Sequence, residues 1–405
     1  MTRSSDPLRH RHGSDSSGQG QRSDEPDESA AEVDGINRQV FKLFQEGRYD
    51  EAMGLATRVC DLARRTLDRY HPYLAASLHA LATLHHARGD YAAAGPLYRE
   101  ALDIIRRGTG GQDLLLPANL SGLAKLYSEL GDYAAAEPLY REALEIARRT
   151  QGAQHPNIAI TLDNLGNLYR LMRNHAAAEP AYREALEIKR RAFGDRHQAF
   201  GQSLHNLAAL YSEQGRYAEA EPLYREALEI IRRAEGERHP AVALVLNGLA
   251  HLYLDVKNYA AAESLCRQAL EITCQAWGAR HPDTLTALDI LTRLYREQGR
   301  YAEAEPLCRQ ALEVTRAVFG EGHLRFAFAL DNLADVFIAQ GRLAEAERLK
   351  EQELQVLRSV LGERHPDISA ALLNLANLQE LLGNRAAAER SRHEAMELQH
   401  QIMEA

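Results

Sequence analysis

Residues 215–228 read GRYAEAEPLYREAL, and this short segment decides the fold. Its small and apolar side chains recur at helical spacing and form one stripe, made of Tyr217, Ala220, Tyr224, Ala227 and Leu228. A glycine placed just before such a stripe indicates a turn that leads into an amphipathic helix. Variants of the segment occur along most of the chain, so their spacing is the next question.

The segment recurs with a period of 42 residues. Nine turn positions mark the repeats: Gly47, Gly89, Gly131, Asn174 (after Arg173), Gly215, Asn258 (after Lys257), Gly299, Gly341 and Gly383. An alanine stands five residues after each position of this glycine column: Ala52, Ala94, Ala136, Ala178, Ala220, Ala262, Ala304, Ala346 and Ala388. A small side chain at one fixed place lets two helices approach closely, so the column predicts the same helix contact in every repeat.

A first helix precedes each turn. Leucine and tyrosine recur there at intervals of three and four, as in Leu204, Leu207, Leu210 and Tyr211. Capping residues agree with these limits. Histidine, usually followed by proline, opens the first helix, Asp or Asn opens the second, and a glycine such as Gly110, Gly152 or Gly194 closes it. The unit is therefore helix, turn, helix, and stacked units would share one continuous core.

Residues 1–35 differ from the rest of the chain. They contain 4 Arg and 8 acidic residues and almost no large apolar side chains. Such a segment cannot bury enough surface to offset its ordering entropy, so we predict a disordered N-terminal tail. The repeat array is predicted to occupy residues 36–405 as nine helix pairs.

The repeat pattern resembles that of a known family. Leu-Ala-x-Leu-Tyr, Gly-x-Tyr-x-x-Ala and Tyr-x-x-Ala-Leu follow one another as they do in the tetratricopeptide repeat, and segments such as Tyr301 to Cys308 and His365 to Asp367 are similar to repeats of kinesin light chains and their bacterial relatives. The resemblance implies an all-α fold, a right-handed α-solenoid of about nine repeats whose first helices line a concave groove. It also implies a non-enzymatic scaffold that binds peptide segments or partner proteins.

Composition limits the other classes of function. The net charge of -9 argues against a nucleic-acid or anionic-membrane binder, because neutralising phosphates requires a surplus of Lys and Arg. No run of about 18 apolar residues could span a bilayer, and the first residues lack the apolar core of a secretion signal, so we predict a cytoplasmic protein.

Histidine, cysteine and arginine residues that could carry chemistry are better explained as structural parts of the repeat than as catalytic or metal-binding groups. Seven histidines recur between repeats and are predicted to be structural caps, since ligands one repeat apart are too distant for one metal ion. Cys266 and Cys308 replace a recurring core tyrosine and are predicted to be buried thiols. Paired arginines such as Arg106 and Arg107 follow acids on the same helix and are predicted to be a solvated face. The sequence therefore predicts no catalytic residue, cofactor or metal site.

The face of the first helices opposite the leucine stripe is the predicted binding site. Its amide, imidazole and charged groups offer donors and acceptors to an extended peptide backbone. The predicted groove residues are Asp163, Asn164, Asn167, Arg170, His205, Asn206, Asn247, His251, Arg293 and Arg296, with Asp289 on the same face. An alternative is that Asn164, Asn206, Asn332 and Asn374 are structural amides that bridge adjacent helices.

Three functional hypotheses follow. The first is an interaction scaffold that holds a protein or peptide partner in its groove. The second is the regulatory arm of a signalling or proteolytic system whose effector is on another chain. The third is a helical-repeat nucleic-acid binder, which the negative charge disfavours.

Overall fold

The computed structural model describes residues 28–45, 48–88, 90–108 and 112–403. Within these ranges the chain forms eighteen α-helices and no β-strand: α1 Glu28–Gln45, α2 Tyr49–Thr66, α3 Pro72–Ala87, α4 Tyr91–Arg107, α5 Gln112–Glu129, α6 Tyr133–Gln151, α7 Pro156–Leu171, α8 His175–Phe193, α9 Gln198–Glu213, α10 Tyr217–Glu235, α11 Pro240–Asp255, α12 Tyr259–Trp277, α13 Thr284–Glu297, α14 Tyr301–Phe319, α15 Leu324–Ala339, α16 Leu343–Leu361, α17 Pro366–Leu381 and α18 Arg385–Met403. Consecutive helices pack in pairs, and each pair packs on the next. The prediction of an all-α solenoid of about nine repeats is confirmed.

The predicted limit of the N-terminal tail is wrong at its C-terminal end. Helix α1 begins at Glu28, and the Val33 side chain is fully buried against α2 and α3. Residues 28–35 therefore belong to the repeat array, because their alanines favour a helix and one valine reaches the core. Residues 1–27 and the turn glycines Gly47, Gly89 and Gly110 lie outside the described ranges.

The helix ends show the predicted capping chemistry. In seven inter-repeat loops a histidine Nδ1 accepts a hydrogen bond from the backbone N–H two residues later, at His71, His155, His197, His239, His281, His323 and His365. Asp or Asn Oδ1 caps five second helices, at Asp90, Asp132, Asn174, Asn258 and Asn384. The assignment of the histidines as structural caps is confirmed.

Two turn positions depart from glycine. The glycine column adopts left-handed backbone at Gly131, Gly215 and later repeats, and Arg173 and Lys257 adopt it in the same column with φ of 55° and 62°. These side chains tolerate a conformation that usually favours glycine. The asparagine after each of them caps the next helix, so the column continues through residues 173 and 257 rather than through the asparagines.

The alanine column lies at the centre of each helix pair. Eight of its alanines have 0% exposure and Ala388 has 1%, which confirms the close helix approach. The recurring tyrosine of the second helix is also buried, as in Tyr140, Tyr182 and Tyr224, and Cys266 and Cys308 take its place in two later repeats. Burial raises the pKa of the Cys266 thiol to about 12, so this cysteine stays protonated and unreactive near neutral pH.

The close packing of neighbouring repeats can be tested by substituting Gly248. A methyl group added there would lie 2.6 Å from the Tyr224 ring and 3.0 Å from the His205 ring. We expect Gly248→Ala to lower the free energy of unfolding by about 1 to 3 kcal/mol through overpacking, measured by urea denaturation.

Gly54 provides the matched control for this substitution. It lies within helix α2, and an added methyl group would meet nothing within 4 Å. Gly54→Ala should instead stabilise the protein by up to about 1 kcal/mol, because alanine favours a helix. Equal stability of Gly248→Ala and the parent would contradict the packing assignment.

Candidate binding cavity

The first helices lie on the inner side of the solenoid. First helices of neighbouring repeats contact one another, in the pairs α1–α3, α3–α5, α5–α7, α7–α9, α9–α11 and α11–α13. Helices on the inside of a curved array are closer together than those outside. The contacts therefore place the odd-numbered helices, and the predicted groove face, on the concave side.

The solenoid winds far enough for its turns to touch. The ring centroids of Tyr49 and Trp277 are 6.5 Å apart, and those of Tyr91 and His323 are 5.8 Å apart, although each pair is separated by more than five repeats in sequence. Both distances lie in the range of favourable aromatic contacts. The N-terminal repeats thus meet the sixth and eighth repeats and close the concave side over part of its length.

A cavity of about 1160 Å³ lies between these turns. Helices α3 and α5 form one wall and α13 and α15 form the other. Its lining mixes charged, aromatic and aliphatic groups, including Tyr91, Glu129, Asp289, Arg293, Arg325 and Phe328. Among these, the Phe328 side chain is 61% exposed, which is unusual for a large apolar residue and is typical of a binding surface. We name this space the inner cavity.

Two predicted groove residues do not face the open groove. The Asp163 carboxylate is buried and forms an ion pair with Lys189, and it accepts a hydrogen bond from Ser203 Oγ at 3.1 Å. Asn247 is 4% exposed, and its Oδ1 atom has no hydrogen-bond partner among the described residues. The prediction is wrong for both, because the neighbouring helices cover the part of the face nearest the leucine stripe.

His205 packs against the second helix of its own repeat. Its ring packs edge-on against Tyr224, with centroids 5.4 Å apart, and its Nδ1 is buried without a partner among the described residues. Burial, reinforced by the nearby Arg170 charge, lowers the pKa of His205 to about 4. This imidazole is therefore neutral at physiological pH and acts as packing.

The remaining predicted residues form inter-helix contacts on the concave side. Asn167 accepts a hydrogen bond from the Tyr182 hydroxyl at 2.7 Å, and Arg170 forms an ion pair with Glu213 on the next first helix. Asn164 and Asn206 are half-buried on the same helices. Asn167 thus joins the two helices of the fourth repeat, and Arg170 joins the fourth repeat to the fifth.

The C-terminal part of the predicted face is a chain of ion pairs. His251 Nδ1 lies 3.3 Å from Asp255, and Arg293 binds Asp255 and Glu297, each at 2.9 Å. Arg296 pairs with Asp335 and donates to Asn332 Oδ1 at 3.2 Å. The alternative that Asn332 is a bridging amide is therefore confirmed, and Arg293 and Arg296 reach the inner cavity with their charges already paired.

The arginine pairs of the second helices are on the solvated surface. Arg64, Arg106 and Arg148 each bridge to a glutamate of the following repeat at 2.6 to 2.8 Å, with both partners well exposed. Such pairs contribute little each. The solvated-face interpretation agrees with this pairing.

Two further features concern only residues 28–45, 48–88, 90–108 and 112–403. In that part of the chain, no helix has the length and apolar character needed to cross a membrane. In the same part, no group of three or more His, Cys, Asp or Glu side chains is placed to hold a metal ion.

A solenoid of stacked helix pairs around a concave cavity defines a class of repeat proteins. The tetratricopeptide repeat family matches residues 42–107, 115–191, 200–275, 242–317, 283–359 and 325–399. The chain therefore belongs to the tetratricopeptide repeat family, as the sequence pattern indicated. No curated protein matches the chain in sequence.

Three solved structures are similar to this chain. BtubC (BKLC) from P. vanneervenii is 27% identical over 56% of this chain and 91% of its own, with a TM-score of 0.47. A putative kinesin light chain of Podosopora anserina is 24% identical over 52% of this chain and 99% of its own, with a TM-score of 0.47. A Rap protein complexed with competence and sporulation factor is 15% identical over 92% of this chain and 99% of its own, with a TM-score of 0.61, and shares the fold.

Proposed function

We propose that this chain is a non-enzymatic interaction protein that holds a peptide segment of a partner in the inner cavity. The observation that carries the proposal is the cavity itself, enclosed between two turns and lined by inward-facing first helices. Its volume of about 1160 Å³ exceeds what a typical small-molecule site offers, which favours an elongated ligand.

The cavity lining has both apolar and charged side chains. It therefore suits a peptide, which offers both kinds of group, better than a ligand that is entirely polar or entirely apolar. Exposed apolar side chains, Phe328 at 61%, Leu130 at 53% and Leu171 at 46%, provide anchoring surface. Charged groups between them can pair with polar atoms of a backbone or side chains. Binding energy in such interfaces comes from a few buried anchors amid many neutral contacts. The Rap protein, which shares this fold, was solved in complex with competence and sporulation factor, and this supports the proposal by analogy.

A substitution that fills the cavity tests the proposal. Thr286 lines the inner cavity on α13 and is exposed to it, so Thr286→Trp should occupy ligand space without disturbing the core. We expect peptides selected from a random phage-displayed library by the full chain to bind this variant about tenfold or more weakly, as measured by fluorescence anisotropy.

Thr57 supplies the control. It is exposed on α2, a second helix, and lies outside the cavity lining. Thr57→Trp should bind the selected peptides like the parent. Failure to select any peptide, or equal binding to Thr286→Trp and the parent, would refute the assignment of the cavity.

The narrower hypotheses stay predictions. They are a regulatory arm whose effector is on another chain, a cytoplasmic location and the lack of nucleic-acid binding.

A further inference from the structure

Within the residues that the structure describes, the acidic residues of five inward-facing helices all have a cationic partner, with the exception of Asp289. Helices α7, α9, α11, α13 and α15 contain seven of them: Asp163, Glu213, Asp255, Asp289, Glu297, Asp331 and Asp335. Six form ion pairs with lysine or arginine. Among the described residues, Asp289 alone in this set has neither an ion pair nor a hydrogen bond of its side chain. It is exposed to the inner cavity.

The repeat explains why Asp289 is unpaired. Asp163, Asp289 and Asp331 occupy the same position in repeats four, seven and eight, since they differ by multiples of the 42-residue period. Lys189 neutralises Asp163 and Lys350 neutralises Asp331, each from the second helix of the same repeat.

The seventh repeat lacks both lysines. The residue equivalent to Lys189 is Thr315, and the residue equivalent to Lys350 is Cys308. Thr315 donates its hydroxyl to backbone carbonyls of its own helix, and Cys308 contacts Thr292 and the Asn332 carbonyl. The protein therefore leaves this carboxylate without the cation that it supplies in the other two repeats.

Other cations at the cavity do not replace that lysine. Arg293 and Arg296 are held by acids of neighbouring helices, and Lys125 lies 3.9 Å from Glu129. The charge of Arg325 also acts on Asp289, but its guanidinium lies over the Phe319 ring at 5.6 Å and forms no ion pair with Asp289.

The surroundings of Asp289 reflect the missing partner. Enclosure by the cavity walls raises the pKa of its carboxyl group to about 6, although Arg325 opposes this shift. An approaching cation would favour the ionised form and relieve the unpaired charge.

An apolar surface lies on the same wall of the cavity as Asp289. Phe328 is on α15, the next inward-facing helix after α13, and lines the same cavity. A ligand that reaches Asp289 therefore meets an exposed aromatic ring beside it.

We propose that the peptide held in the inner cavity carries a basic side chain that pairs with Asp289, next to an apolar side chain that packs on Phe328. The ligand lysine or arginine takes the place that Lys189 and Lys350 occupy in their own repeats. This inference rests on the proposed function, because it names the chemistry of the segment that the cavity binds.

The test compares two synthetic peptide pools on the full chain. Both have random apolar-rich flanks, and the central residue is lysine in one and the neutral, similarly sized norleucine in the other. At about pH 8, where Asp289 is ionised, we expect the lysine pool to bind about tenfold more tightly, as measured by fluorescence anisotropy.

Three variants locate the preference. Asp289→Asn should remove the lysine preference without lowering stability, because it removes an unpaired charge. Thr315→Lys should remove it too, by supplying within the chain the cation that Lys189 supplies in repeat four. Glu237→Gln removes one negative charge outside the cavity, where Glu237 pairs with Arg232, and should leave the preference unchanged.

The outcomes separate the two proposals. Equal binding of both pools to the parent, or a lysine preference that survives Asp289→Asn, would overturn the role of Asp289 and leave the cavity as a peptide site. Failure of both pools to bind would overturn both proposals.

Discussion

Replacing Lys189 with methionine is expected to lower the free energy of unfolding by about 3 to 5 kcal/mol. The Lys189 and Asp163 side chains are 6% and 10% exposed and form an ion pair within the fourth repeat. Removing the cation leaves a buried carboxylate with only the Ser203 hydroxyl as a partner. Because that charge has lost its water and its counter-ion, the folded state bears the full desolvation cost.

Urea denaturation followed by far-UV circular dichroism measures this loss. A second substitution, Asp163→Asn, should restore much of the stability of the methionine variant by removing the stranded charge. Lys257→Met is the control, because Lys257 is exposed. Its left-handed backbone is as unusual for methionine as for lysine, so the substitution should not change the backbone strain. A methionine variant as stable as the parent would show that the pair is not buried in solution.

Glu353→Gln is expected to have the opposite effect at alkaline pH. Glu353 is 8% exposed and lies 3.5 Å from Lys350, which also faces Asp331 and Asp335. Arg296 is the only other cation that pairs with this cluster in the described part of the chain, so three carboxylates share two positive charges. Burial raises the pKa of Glu353 to about 7, with Lys350 opposing the shift and Asp331 adding to it.

The sign of the pH dependence follows from that pKa. An unfolded glutamate titrates near pH 4.3, so above pH 7 the folded state holds a charge that it disfavours, whereas below about pH 4 both states are neutral. Glutamine mimics the neutral form. It should therefore stabilise the protein by about 3 to 4 kcal/mol near pH 8, and the advantage should shrink toward zero as the pH falls to about 4.

Thermal and urea unfolding across this pH range would reveal the effect. Glu351→Gln, at an exposed site two residues away, should give no pH-dependent gain. A gain for Glu353→Gln that stays constant from acid to alkaline pH would mean that Glu353 titrates normally.

The buried charges at Lys189 and Glu353 also show how much of the structure the repeat pattern predicts. The 42-residue columns predicted every helix pair, the alanine contacts and the histidine caps. The same columns contain departures. Lys189 stands where other repeats have Ala147 or Ile231. Glu353 stands in a column that holds alanine, such as Ala311, in seven of the other eight repeats. Such departures signal a local change of environment, but the partner lies on another helix and depends on how the helices cross.

The helices predicted to carry the groove lie on the concave side, whereas some of the side chains predicted to face it are covered by neighbouring helices. Helical periodicity gives the direction of a face, which sufficed to place Arg293 and Asp289 toward the cavity. It does not reveal which part of that face the next helix covers, so Asp163 and Asn247 were assigned to an open surface. The contact between turns was also beyond reach, because it depends on a small rotation per repeat that accumulates along the solenoid.

Trp277 is the only tryptophan of the chain, and it sits where the two coils meet. It stacks on His281 with ring centroids 5.4 Å apart and is 37% exposed, so a slight change in spacing alters its access to water. Its intrinsic fluorescence therefore reports on the superhelical pitch. A tighter or looser solenoid should change this fluorescence, with no added label required.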